Sequence, residues 1–234
     1  MTQEEFHKLV HVVIEKPNTP PESLFAGGMD NWHARARLAH FLAMPEIQHR
    51  PEALELLRSV VEAEVDDEDS QDVEEKVYAL QKLAMLERED KNYADAIRHI
   101  NIAIELAEST DFLYKYILRG ELWAERWTIL HEQGDVQGAE QEVDERIAAY
   151  EDIPIDHNSY LYYGYRFKAQ LAAERGVVLV AKDYMHMALK YMAVPENCRA
   201  ALNEAFNQQH ENASWILNCI DHATPNPDEL HWDI

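Results

Sequence analysis

Glycine is scarce, with seven residues in 234, and no sustained alternation of Val, Ile and Thr appears. Both features argue against a β-rich fold. Cysteine is nearly absent: Cys198 and Cys219 lie 21 residues apart within one predicted helix. A continuous helix would separate them by about 30 Å, too far for a disulfide, so both read as reduced thiols. Basic residues are few, 21 Lys and Arg against 44 Asp and Glu, which leaves a formal net charge of −23. Such a charge repels phosphate backbones and anionic lipid, arguing against a nucleic-acid binder or a membrane-surface protein. It suits solubility first, and it is compatible with a basic protein or peptide partner. Long apolar runs are missing too: the longest, Val177–Ala181, is far too short to span a bilayer. The opening MTQEEFHK has no basic n-region and no apolar h-region. The expectation is a cytoplasmic protein.

What the chain has is apolar content, 47% of its residues, enough for a continuous core and too much for a disordered chain. That content repeats. In Lys91–Ala107 the small and large apolar residues Ala96, Ile100, Ala103, Ile104 and Leu106 share one helical face. Ala53 lies 43 residues before Ala96, Ala139 lies 43 after it, and Ala181 follows 42 further on. Four residues after each alanine stands a large side chain: Leu57, Ile100, Val143, Met185. Eight after it stand Val61, Ile104, Ile147 and Leu189. A repeat of this length marks stacked helix pairs, in which the small residue allows close approach and the large one fills the gap to the next pair.

Helix signals fit that plan. Thr2 and Glu5 have capping-box spacing before a helix to Lys16, which PNTPP ends. Asp30 or Asn31 can cap a short helix through Met44, and Pro51 suits the first turn of its partner. The acidic stretch from Glu62 to Asp72 lacks the glycine and ligand alternation of a calcium loop, so it reads as a solvated connection. Further helices are expected over 73–88, 112–133, 159–175 and 196–222, with turns at Asp90–Asn92, Gly134–Asp135 and Gly176. The resulting division is an N-terminal helix and loop over 1–28, helical repeats over 29–195, and a capping helix with its tail over 196–234.

The segments GDVQGA, KNYADAI and GVVLVA, each a turn followed by an apolar residue and the anchoring alanine, resemble the second-helix signature of tetratricopeptide repeats. Tyr93, Ala96, Ile100 and Ala103 match throughout, as do Gly176, Val178, Ala181, Met185 and Ala188. Arg146 replaces the second small residue of one copy, and the first copy has Arg50 at the aromatic position and Val60 for the second alanine. In the first helices Trp123 and Leu83 fit, but Arg126 and Lys168 fall where apolar residues belong. The period of 42–43 exceeds the family's roughly 34 and alone would equally suit HEAT-like repeats; the turn-plus-alanine pattern favours the tetratricopeptide likeness. The fold this implies is all-α: a right-handed α-solenoid of about four hairpins with an N-terminal helix and a C-terminal capping helix.

The resemblance further implies that the first helices line a concave, peptide-binding surface. Counted back from the alanines, it carries Tyr78, Gln81, Lys82, Met85 and Arg88 in one repeat, and Glu121, Glu125, Thr128 and His131 in the next. The last contributes Tyr163, Arg166, Phe167 and Gln170. The family's clamp for carboxyl-terminal carboxylates is absent from these positions. What remains is a mixed aromatic, polar and acidic groove suited to a protein or peptide with basic and apolar side chains.

Candidates for chemistry are thin. His7 and His11 share a helix face, but HKLVH lacks the glutamate of a zinc-protease helix. Glu4–His7 and Glu46–His49 have di-iron spacing, yet Glu46 sits beside Pro45. Gly27–Gly28 lacks the Lys and Ser or Thr of a phosphate loop, and Cys198 has no evident base. The reading is a non-enzymatic binding scaffold with no cofactor and oligomeric state open. The alternatives are a bacterial peptide-sensing regulator, or an enzyme with a cryptic metal site through His7 and His11.

Overall fold

A computed structural model describes residues 1–110, 115–153 and 158–191, the stretch 115–118 by its backbone alone. Within these residues the chain is all-α, with nine helices: α1 (Gln3–Ile14), α2 (Trp32–Leu42), α3 (Arg50–Val60), α4 (Ser70–Glu89), α5 (Tyr93–Ser109), α6 (Lys115–Gln133), α7 (Val136–Tyr150), α8 (Ser159–Glu174) and α9 (Val178–Tyr191). Two short 3₁₀ turns, Glu22–Phe25 and Gly28–Asp30, join α1 to α2. The expected capping helix and both cysteines lie outside the described residues, as do the first residues of the helix expected over 112–133.

Local chemistry starts the helices where the sequence places caps. Thr2 and Glu5 form a reciprocal capping box: the Thr2 amide donates to Glu5 Oε2 at 2.7 Å and the Glu5 amide to Thr2 Oγ1 at 3.3 Å. Asn31 caps α2 by accepting from His33 at 2.9 Å, Asp69 caps α4 at Gln71, and Asn158 caps α8 at Leu161. The acidic stretch runs through a largely exposed loop into the first turn of α4, where Asp72 accepts from the Asp66 amide at 3.3 Å.

The repeat is realised in the turns. Ala53, Ala96, Ala139 and Ala181 are each the fourth residue of α3, α5, α7 and α9, and all four are fully buried. Five residues before each stands one residue with positive φ: Gln48 (60°), Lys91 (61°), Gly134 (100°) and Gly176 (74°). At the last three, paired reverse bonds close the preceding helix in a Schellman arrangement. Asn92 donates to the Glu87 carbonyl at 2.8 Å, Asp135 to Leu130 at 2.9 Å and Val177 to Ala172 at 2.9 Å. The carbonyl of that same linking residue then accepts from the alanine amide, at 3.1 Å for Asn92 and Asp135 and 3.0 Å for Val177. One residue thus ends one helix and begins the next, which fixes the hairpin's geometry. The first turn is longer, and His49 supplies the corresponding carbonyl to Ala53 at 3.0 Å.

Contacts divide the chain into two compact units, Met1–Phe112 and Leu113–Ile234. In the first, α1 packs on α2, and α2 packs on both α3 and α4. Its core holds Phe6, Val10, Leu38, Leu42, Leu56, Leu57 and Leu83. A polar network pins its last three helices: Glu87 (α4), 1% exposed, accepts from Arg58 (α3) at 3.2 Å and from His99 (α5) at 2.6 Å. In the second unit α6 packs on α7 and α8, α7 on α8, and α8 on α9. Its core holds Trp127, Val143, Leu161, Phe167 and Met185. In each unit, therefore, the first helix of a pair contacts both its own partner and the first helix of the following pair.

Candidate functional site

The charged residues that depart from the repeat signature have partners in the folded chain. Arg126 on α6 makes a forked pair with Glu142 on α7, at 2.8 and 2.7 Å. Arg146, in place of the second small residue, lies over the Trp123 ring at 3.8 Å. Lys168 on α8 pairs with Asp144 on α7. Arg50 reaches Glu89 at 2.5 Å and Asp90 at 2.9 Å at the end of α4. Each thus links its helix to a neighbouring one by an ion pair or a cation–ring contact.

In the second unit the candidate residues of α6 and α8 lie on two helices that pack together. Trp127 is fully buried, 5.9 Å from the Phe167 ring. His131 meets that ring edge-on at 6.1 Å and places Nε2 2.8 Å from Glu174 Oε2. Gln170 donates to the other Glu174 oxygen at 3.0 Å. The structure thus brings His131, Phe167 and Gln170 together. Phe167 is only 4% exposed, so its ring belongs to the core and supports the surface from beneath. Glu121, Glu125, Thr128, Tyr163 and Arg166 are half-buried on the same two helices. The Thr128 hydroxyl is turned to the Ala124 carbonyl at 2.8 Å, and Tyr163 packs edge-on against Tyr162 at 4.8 Å.

In the first unit Tyr78, Lys82, Met85 and Arg88 follow one stripe of α4, with Tyr78 exposed and the other three half-buried. Gln81, expected beside them, is buried. The stripe adjoins residues of α2 that the sequence reading passed over. His33 Nδ1 stands 2.5 Å from Glu75 Oε2 and Nε2 3.2 Å from Asp72, while Arg37 Nε donates to Glu75 Oε1 at 2.5 Å. His40 donates from Nδ1 to the Ala36 carbonyl at 3.0 Å. Burial pushes the His40 ring below its ordinary 6.5; the Ala36 bond opposes this and the Lys82 charge adds to it. The spacing of 33, 37 and 40 on one helical stripe was the available signal.

Nearby, Lys76 is 3% exposed and donates to the Val60 carbonyl, to Val61 at 2.8 Å and to Ala63 at 2.9 Å, satisfying the end of α3. Burial lowers its ammonium from 10.5 to about 8, with Glu62 opposing and Arg35 reinforcing the shift. His7 and His11 are both exposed on α1. Among the described residues no three His, Cys, Asp or Glu side chains gather as metal ligands, and no helix is long and apolar enough to cross a membrane.

Compared with known proteins, the chain matches no family model, no curated protein and no solved structure.

Proposed function

We propose that this chain is a non-enzymatic scaffold: a right-handed, tetratricopeptide-like solenoid whose first helices present a concave surface to a protein or peptide. The observation that carries this reading is the equivalent setting of the four anchoring alanines. Each is fourth in its helix, fully buried, and five residues beyond a positive-φ turn. Hairpins built on one plan, with first helices packed on first helices within each unit, align the outward stripe of α2 with that of α4 and the stripe of α6 with that of α8. Those stripes carry Tyr78, Lys82, Met85 and Arg88 on α4, Glu121, Glu125, Thr128 and His131 on α6, and Tyr163, Arg166 and Gln170 on α8, with Phe167 buttressing them.

Aromatic rings beside polar groups of both signs suit a partner with apolar and basic side chains. The net charge of −23 favours a basic partner through long-range attraction. The proposed setting is cytoplasmic, and no cofactor, nucleic acid or membrane enters it.

Site-specific photo-cross-linking in the native cell tests the reading. Within the second unit, cross-linkers at Thr128 and Tyr163 should trap the same partner, and one at Tyr78 should trap a partner on the first unit, while one at Glu105 or Glu145, exposed on second helices, should not. Equal capture from both sets, or from neither, sinks the proposed surface.

A further inference from the structure

The start of α9 breaks the rule that the helices keep their large apolar groups inside. Leu179 is 77% exposed, and its neighbours Val177 and Val180 are 45% and 39% exposed. One position along from Leu179, Val180 enters the wall of a cleft of about 140 Å³, together with Val177, Tyr184, Leu171 and Ala172. That volume admits one aliphatic side chain. The patch therefore holds a protruding leucine and an apolar recess side by side.

The rim is charged but balanced. Arg175 grips Glu140 through two bonds of 2.9 and 2.7 Å, and Lys168 pairs with Asp144 while lying 5.0 Å from the Tyr184 ring. The Arg175 bond holds the Glu140 carboxyl below its ordinary range, so the pair stays ionised and self-neutralised at neutral pH.

We infer that this face, on the margin of α7, α8 and α9, is a docking surface for a second copy of the chain. In a two-fold contact, the same patch must supply both knob and hole. Leu179 of each copy enters the recess beside Val180 of the other, and the two insertions are equivalent. Balance at the rim favours a like partner. Two chains of −23 repel wherever their acidic surfaces meet, and here each cation already cancels an anion. Val177, Leu179 and Val180 lose their exposure together, which supplies the driving force. The inference stands apart from the scaffold reading, because the patch, on α7, α8, α9 and the turn at Val177, shares no residue with the proposed peptide surface.

Sedimentation velocity on the full chain across a wide concentration range tests it. The molar mass should double as concentration rises, and Leu179→Asp should weaken dimerisation by about tenfold or more, since it removes the inserted apolar side chain and puts a carboxylate that must lose its water beside Glu140 and Asp144. Helicity and the melting temperature of dilute Leu179→Asp should match the parent, given how exposed the side chain is. A chain monomeric at every concentration overturns the inference, and so does a dimer indifferent to Leu179→Asp. A substituted monomer that melts earlier when dilute also overturns it, because Leu179 would then be covered by its own chain.

Discussion

Lys91 holds a φ of 61° at a position where two later copies of the turn carry glycine. A side chain in that left-handed region costs about 1–2 kcal/mol, whereas glycine adopts it freely but gives up about 0.4–1 kcal/mol through a looser unfolded chain. The balance predicts that Lys91→Gly stabilises the protein by about 0.5 kcal/mol. Gly134→Ala should do the opposite, by about 1 kcal/mol. A β-carbon there meets nothing within 4 Å, so the loss is purely backbone strain. Urea denaturation of the two variants checks the signs; shifts in the same direction would refute this account of the turn. These positions also mark what the sequence concealed. Gly134 and Gly176 announced both a turn and its left-handed residue; the turn at Asp90–Asn92 was announced too, but Lys91, like Gln48, takes the left-handed conformation with a residue type that seldom signals it. A second residue-scale effect belongs to Lys76, whose ammonium falls from 10.5 in the open chain to about 8 in the fold. Across that window the unfolded chain holds a proton that the folded chain has released, so stability rises with pH. The difference in stability between the parent and Lys76→Met should therefore climb from about pH 8 to about 10.5, by no more than about 1.4 kcal/mol per pH unit. A flat difference would show that the buried amine titrates as if in water.

Helix pairing turns on spacing as much as on apolar character. Gly120, inside α6, has its amide 3.2 Å from Ser159 Oγ, and a β-carbon there would fall 2.3 Å from the Ser159 carbonyl carbon. The obstacle is the Ser159 backbone, so no rotamer change relieves it. Gly120→Ala gains about 1 kcal/mol of helix propensity but must push α8 away from α6. The expected net result is a loss of about 2 kcal/mol or more, larger than that of Gly134→Ala and read in the same urea series. If Gly120→Ala proves neutral, α6 and α8 do not approach as closely as described. Sequence periodicity could not have found this glycine, because what it touches is 39 residues away. The same limit explains the surface residues that moved inward. A stripe count from the alanines places Phe167 and Gln81 on the outer face of their helices. Yet the first helix of each pair is covered from two sides, by its own partner and by a neighbouring first helix, and positions at the stripe's edge become buried. What was legible was what depends on nearby residues: the capping box at Thr2, the Asn31 cap, Pro51 in a first turn, and the alanine anchors.

At the scale of the whole chain, the excess of acid acts on three processes with different signs. Folding gathers a net charge of −23 into a smaller volume, and the resulting self-repulsion opposes the folded state. The paired cations count against this only locally: Arg126 is bonded to Glu142, Arg175 to Glu140 and Lys168 to Asp144. Screening lengths shrink from about 30 Å at 0.01 M salt to below 10 Å in a few tenths molar, which removes repulsion between distant acids before it weakens bonded pairs. Raising sodium chloride from about 0.01 to about 0.3 M should therefore increase the melting temperature by a few degrees. Self-association through the Leu179 face should strengthen over the same range, because like-charged copies repel less while apolar burial is unaffected. Binding of the proposed basic partner should weaken, because its attraction is screened along with everything else. Calorimetry for folding, sedimentation for self-association and titration with a cross-linked partner's peptide separate the three. A melting temperature that falls with salt would mean that attractive pairs such as Arg126–Glu142 outweigh the chain's net repulsion. A partner whose affinity ignores salt would mean that the aromatic and apolar groups near Tyr78 and Tyr163 carry recognition and that the acidic excess merely keeps the protein in solution.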